Sequence, residues 1–198
     1  MCAWTSQTLL GEHAFLPQRS MSPVRFGEDL ARLVWESFSD FVTDGSASGV
    51  LGDLGHLDEE GVPGEKSAEE ILIFLMWAHT RAVQLAFLSR VPESKLREGL
   101  DALHRAVFED MIKHGTPANQ IPVFEQRVGA RYQEYSAASD KSDEAVGLAV
   151  IGHLGERGEG DLERARAIAS EAIAVVGPLR DYLEDVDLGE TPPSELPT

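Results

Sequence analysis

The chain has 198 residues, of which 34 are acidic and 17 are basic, so its formal charge at neutral pH is −17. The length fits one domain, and an apolar content of 42% is sufficient for one packed core. A single cysteine excludes an intramolecular disulfide framework, and the acidic excess argues against binding to nucleic acid or to an anionic membrane surface.

The chain is predicted to begin with an irregular arm that leads into a helix. Residues 1–21 show no sustained period and lack the basic and apolar regions of a secretory leader, so we expect a cytoplasmic location. Ser22 and Pro23 are typical of a helix start, with serine as the N-cap and proline in the first turn. Apolar residues then recur every three or four positions to about Thr43, which predicts the first helix.

A long acidic loop is predicted after this helix. Residues 44–66 contain six glycines and six acidic residues without a periodic apolar face. The acidic positions do not have the spacing of an EF-hand, so the mobile-linker interpretation is preferred to a calcium site.

Three helices are predicted over the centre of the chain. The capping-box sequence Ser67-Ala-Glu-Glu70 precedes the most apolar helix, which runs to about Arg90. The third helix covers about 94–114, and the fourth has Pro122 in its first turn because proline farther in would break it. The inner face of the fourth helix is predicted to consist of Val123, Phe124, Val128, Tyr132 and Tyr135.

Two further helices and a tail complete the chain. The fifth helix covers about 143–154, and the sixth begins at Asp161 and is expected to end or kink at Gly177-Pro178. Residues 189–198 contain three prolines and no period, which predicts a disordered tail. The fold prediction is therefore a single all-α bundle of five to six helices over residues 22–188.

Known catalytic and metal-binding motifs are missing from the sequence. Asp101-x-x-His104 is the nearest approach to the Glu-x-x-His pattern of di-metal bundles, and it has no second copy on another predicted helix. The cysteine, Cys2, lies in the arm, where no positioned base is expected. We therefore predict no metal and no other cofactor, and the sequence favours a non-enzymatic protein.

Polar residues interrupt the apolar faces of the second to fourth helices. Arginine binds carboxylate and phosphate groups bidentately, so these residues could together hold a small anionic ligand. They could also satisfy one another and acidic neighbours in a structural network, which is the preferred interpretation, and Arg81 is expected to be paired. The candidate ligand-binding residues are His79, Arg81, His104, Arg127, Arg131 and Tyr132.

Two hypotheses about function follow. The preferred one is a non-enzymatic binding or assembly protein that self-associates, for example as a homodimer, and contacts a protein partner. The apolar arm around Trp4 could dock in cis or in trans. The alternative is a helical bundle that binds a small anionic ligand, or acts on it, through the candidate residues.

Overall fold

The computed structural model describes residues 19–43, 45–53, 55–155 and 161–189. Its elements in chain order are β1 (Arg19–Met21), α1 (Pro23–Thr43), α2 (Gly45–Asp53), α3 (Glu65–Phe87), α4 (Glu93–Lys113), α5 (Ile121–Ser139), α6 (Asp143–Leu154), α7 (Asp161–Leu183) and β2 (Val186–Leu188). The all-α prediction is confirmed, with seven helices rather than five or six in this part of the chain. Most of the predicted arm, residues 1–18, and of the predicted tail, residues 190–198, lies outside the described residues.

The centre of the fold is α3. All its side chains from Ile71 to Thr80 are buried, because α1, α4, α5, α6 and α7 all contact it. A helix that is apolar on every side needs such complete cover. None of the helices in the described ranges is long and apolar enough to cross a bilayer.

The first correction concerns the predicted loop. Gly45–Asp53 forms α2, although glycine is a poor helix former. Val50 and Leu51 of α2 are buried, and the helix packs against α1 and α7. Tertiary packing thus supplies the stability that local propensity lacks. Residues 55–64 form no helix, in agreement with the prediction.

A short parallel sheet was not predicted either. β1 pairs with β2 in a register that places Arg19 opposite Val186 and Met21 opposite Leu188. Three-residue strands are too short to show an alternating pattern in sequence. The Arg90 side chain strengthens this corner by donating to the carbonyl oxygens of Leu183 and Glu184 at 3.2 and 2.6 Å.

Two smaller predictions about the helices are wrong, and of the end or kink predicted at Gly177-Pro178 the end is not found. α3 begins at Glu65, ahead of the predicted capping box, and no side chain caps its start. α7 continues through Gly177-Pro178 to Leu183. Val123, assigned to the inner face of α5, is 60% exposed. By contrast, Pro122 lies in the first turn of α5, as predicted. The Ser142 side chain caps the start of α6.

Candidate functional site

Two of the candidate arginines bind carboxylates at the start of α3. Nε and Nη2 of Arg131 donate to the two carboxylate oxygens of Glu70 at 2.9 and 3.1 Å, and Arg127 pairs with Glu69. The bidentate contact raises the pKa of the Arg131 guanidinium above its ordinary value. Both arginines therefore tie α5 to α3, and the protein's own acidic groups occupy them.

Tyr132 and His104 form a separate polar contact between the helices. The Tyr132 hydroxyl lies 3.1 Å from Nε2 of His104 and 3.4 Å from Oγ1 of Thr80. His104 donates from Nδ1 to the carbonyl oxygen of Leu100 at 2.7 Å, so Nε2 accepts the Tyr132 proton. Burial lowers the pKa of His104 and raises that of Tyr132, which keeps both side chains neutral. These contacts join α3, α4 and α5.

The other two candidates, His79 and Arg81, lie on different sides of α3. His79 is directed towards α1 and α7, whereas Arg81 borders a separate groove between α3, α6 and α7. The six residues therefore line four separate cavities and do not share one. The expectation that Arg81 is paired is not met among the described residues, where no carboxylate oxygen comes within 4.0 Å of its guanidinium.

The cavity at His79 is a cleft of about 450 Å³ between α1 and α7, which we call the His79 cleft. Its floor is His79 on the central helix α3, and α7 contributes a largely apolar wall that includes Val175 and Leu179. The α1 wall combines apolar and polar side chains. The α1 residues that line the cleft are Phe26, Asp29, Leu30, Arg32, Leu33, Glu36, Ser37 and Asp40.

The imidazole of His79 presents a hydrogen-bond acceptor to this cleft. Its Nδ1 donates to the carbonyl oxygen of Leu75 at 2.8 Å, while Nε2 has no partner among the described residues. Burial lowers the pKa of His79 and outweighs the opposite effect of the Leu75 hydrogen bond. The neutral ring therefore carries its proton on Nδ1 and a free lone pair on Nε2.

A second acceptor follows from the proline in α7. Pro178 has no backbone N–H, so the carbonyl of Ala174, one turn earlier, lacks its ordinary helical donor. Both residues line the His79 cleft. The sequence pattern predicted that the helix ends or kinks at Gly177-Pro178, and α7 continues through both residues to Leu183.

The rim of the cleft is negatively charged. Asp29 is within 3.5 Å of both Arg25 and Arg32, whereas Glu36 and Asp40 have no basic partner in the described part of the chain. The charged groups that line the cleft are three carboxylates and one guanidinium. The cleft therefore favours a neutral or cationic molecule over an anion.

The remaining chemistry of the described residues does not suggest a metal centre, because no three His, Cys, Asp or Glu side chains converge on one point there.

Comparison with known proteins adds no relative: the chain matches no protein-family model, no curated protein and no solved structure. The case for function therefore rests on the geometry of the chain itself.

Proposed function

We propose that the protein is a non-enzymatic binding protein whose His79 cleft takes a small apolar molecule bearing an amine. The observation that carries this proposal is the unpartnered Nε2 of a buried histidine at the floor of a cleft of about 450 Å³. Ligand sites commonly have volumes of about 300–1,000 Å³, apolar walls and a few placed polar groups.

The choice of an amine follows from the polar groups around the cleft. Nε2 of His79 and the carbonyl of Ala174 are both acceptors, and the carboxylates of Glu36 and Asp40 lie at the rim. An ammonium group supplies three donors and a positive charge, so it complements each of these features. Its apolar part would cover Leu33, Val175 and other apolar surface of the cleft.

A matched series of ligands tests this proposal by isothermal titration calorimetry. We expect 2-phenylethylamine to bind more tightly than 2-phenylethanol, and both to bind more tightly than 3-phenylpropionate. The variant His79→Leu removes the acceptor at similar bulk and is expected to weaken amine binding about tenfold or more. The control is His114→Leu, which changes the exposed histidine that directly follows α4. Equal affinity of the amine for the wild type and His79→Leu, or preference for the carboxylate, would overturn the proposal.

Self-association through a protein surface is the second candidate function. Val123 belongs to an apolar pattern yet is 60% exposed at the start of α5, and Ile112 near the end of α4 is 43% exposed. The packing of Phe108 on Phe124, with ring centroids 5.9 Å apart, brings these helix ends together. Sedimentation velocity tests the idea: Val123→Glu is expected to dissociate a dimer, while Val62→Glu leaves it intact. A wild-type monomer at every concentration would refute it.

A further inference from the structure

A groove on the opposite side of α7 from the His79 cleft carries two isolated charges of opposite sign. This Arg81 groove has a volume of about 300 Å³ and lies between α3, the start of α6 and α7. Arg81 is half-buried on α3, and Asp143 is the first residue of α6. Both line the groove, together with the apolar side chains Trp77, Leu85, Val146 and Ile173.

Neither charged group has an ionic partner among the described residues. Arg81 and Asp143 have opposite charges and share the groove, yet their charged atoms are more than 4.0 Å apart. The neighbouring residue Glu144 pairs with Arg166 at 2.6 Å, so it does not compensate Arg81 either. A half-buried guanidinium without a counter-ion is costly, so an anionic group bound at Arg81 would reduce that cost.

We propose that the Arg81 groove binds a zwitterionic amino acid with an apolar side chain, of the size of leucine or phenylalanine. The carboxylate would bind Arg81 bidentately, and the ammonium group would bind the carboxylate of Asp143. One molecule with both charges would offer each of these side chains a group of opposite charge. Its side chain would cover the apolar walls near Ile173 and Leu85, which are 54% and 39% exposed.

The negative charge of Asp143 also decides against a simple anion. A carboxylic acid without an amine would gain Arg81 but would add a second negative charge to the groove that the exposed Asp143 lines. A cationic amine would gain Asp143 but would leave Arg81 uncompensated. The sequence-based hypothesis of an anionic ligand is thus narrowed at Arg81 to a molecule that also carries a positive charge.

Analogues that lack one charge at a time test the proposal by calorimetry on the full chain carrying His79→Leu, which removes the acceptor of the His79 cleft so that amine binding there does not enter the measurement. We expect leucine and phenylalanine to bind, and leucinamide and 4-methylpentanoate to bind about tenfold more weakly or worse. The indole N–H of Trp77, which donates to Ser136 at 3.2 Å, lies beside the groove, and its NMR shift is expected to change with leucine.

Variants assign each charge of the ligand to one side chain. Arg81→Gln is expected to abolish the preference for leucine over leucinamide, and Asp143→Asn the preference for leucine over 4-methylpentanoate. Arg81→Lys keeps the charge without the bidentate geometry, and we expect intermediate affinity. Arg105→Gln, at an exposed arginine on α4, is the control. Unchanged melting temperatures show that the variants fold.

Two results would overturn the proposal. One is an absence of saturable binding by either amino acid up to its solubility limit. The other is a 4-methylpentanoate affinity equal to that of leucine, which would mean that Asp143 plays no part. The His79 cleft lies on the other side of α7, and the series is measured with His79→Leu, so the two proposals can fail separately.

Discussion

Removing Arg131 is expected to destabilise the fold far more than removing the charge of Glu70, although the two side chains form one ion pair. The Glu70 side chain is 2% exposed, whereas that of Arg131 is 22% exposed. Arg131→Met therefore leaves a carboxylate without water or counter-ion, at a cost of about 3–5 kcal/mol. Glu70→Gln leaves a guanidinium that water still reaches and an amide oxygen that still accepts one N–H, at a cost of about 1–2 kcal/mol.

The adjacent ion pair provides a matched control for this comparison. Arg127 and Glu69 join the same two helices, but their side chains are 30% and 22% exposed, so solvent screens them. Arg127→Met is expected to cost about 1 kcal/mol or less. In the double variant, Glu70→Gln is expected to recover part of the stability lost in Arg131→Met, because it removes the uncompensated charge.

Urea-induced unfolding followed by far-UV circular dichroism measures all four free energies of unfolding. Unchanged m-values would show that the native and unfolded states remain comparable. The reasoning fails if Arg131→Met costs no more than Arg127→Met, or if Glu70→Gln costs as much as Arg131→Met. Either result would mean that the Glu70 carboxylate is not stranded by the loss of its partner.

Three further predictions concern packing, a buried hydroxyl and pH. Gly147→Ala is expected to lower the free energy of unfolding by more than about 2 kcal/mol in chemical denaturation, because a Cβ at this position would overlap the α7 backbone. Gly129→Ala is the control, and because the space around Gly129 is open we expect it to raise the free energy of unfolding by about 0.5–1 kcal/mol. Tyr135→Phe is expected to leave stability unchanged or to raise it, by up to about 1 kcal/mol in the same assay, since the buried Tyr135 hydroxyl has no hydrogen-bond partner among the residues that the structure describes. The free energy of unfolding is expected to fall as the pH drops below 6.5, since burial lowers the pKa of His79 and His104 and the unfolded chain takes up protons first. His79→Leu is expected to reduce this slope in denaturation curves across pH, and an unchanged slope would contradict the assignment.

The helices that could be predicted closely are those with local start and stop signals. Pro23 begins α1, and Ser142 with its side-chain cap fixes the start of α6 within the chain's own sequence. α2 could not be predicted, because its stability comes from Val50 and Leu51 packing against distant helices. Local propensity carries no information about that contact.

Glu70 shows how a correct local pattern can have a different role. Ser67 and Glu70 have the spacing of a capping box, but the helix already begins at Glu65. The Glu70 carboxylate instead binds Arg131, which lies 61 positions later. Whether two residues so far apart in sequence pair depends on how α3 and α5 pack. The spacing of residues within α3 therefore cannot predict the pair.

The division of the candidate site could have been foreseen in one respect. Consecutive residues of an α-helix are about 100° apart, so His79 and Arg81 are separated by about 200° and must face opposite sides of α3. One cavity on α3 therefore could not hold both, and the single-cluster hypothesis already conflicted with helix geometry. The residues that form the walls of the two cavities could not be predicted in this way. α7 separates the two cavities, and its contact with α3 depends on the tertiary fold. His79 and Arg81 therefore line two separate cavities, for which we propose different ligands: a cation at the acceptor-rich cleft and a zwitterion at the groove with both charges.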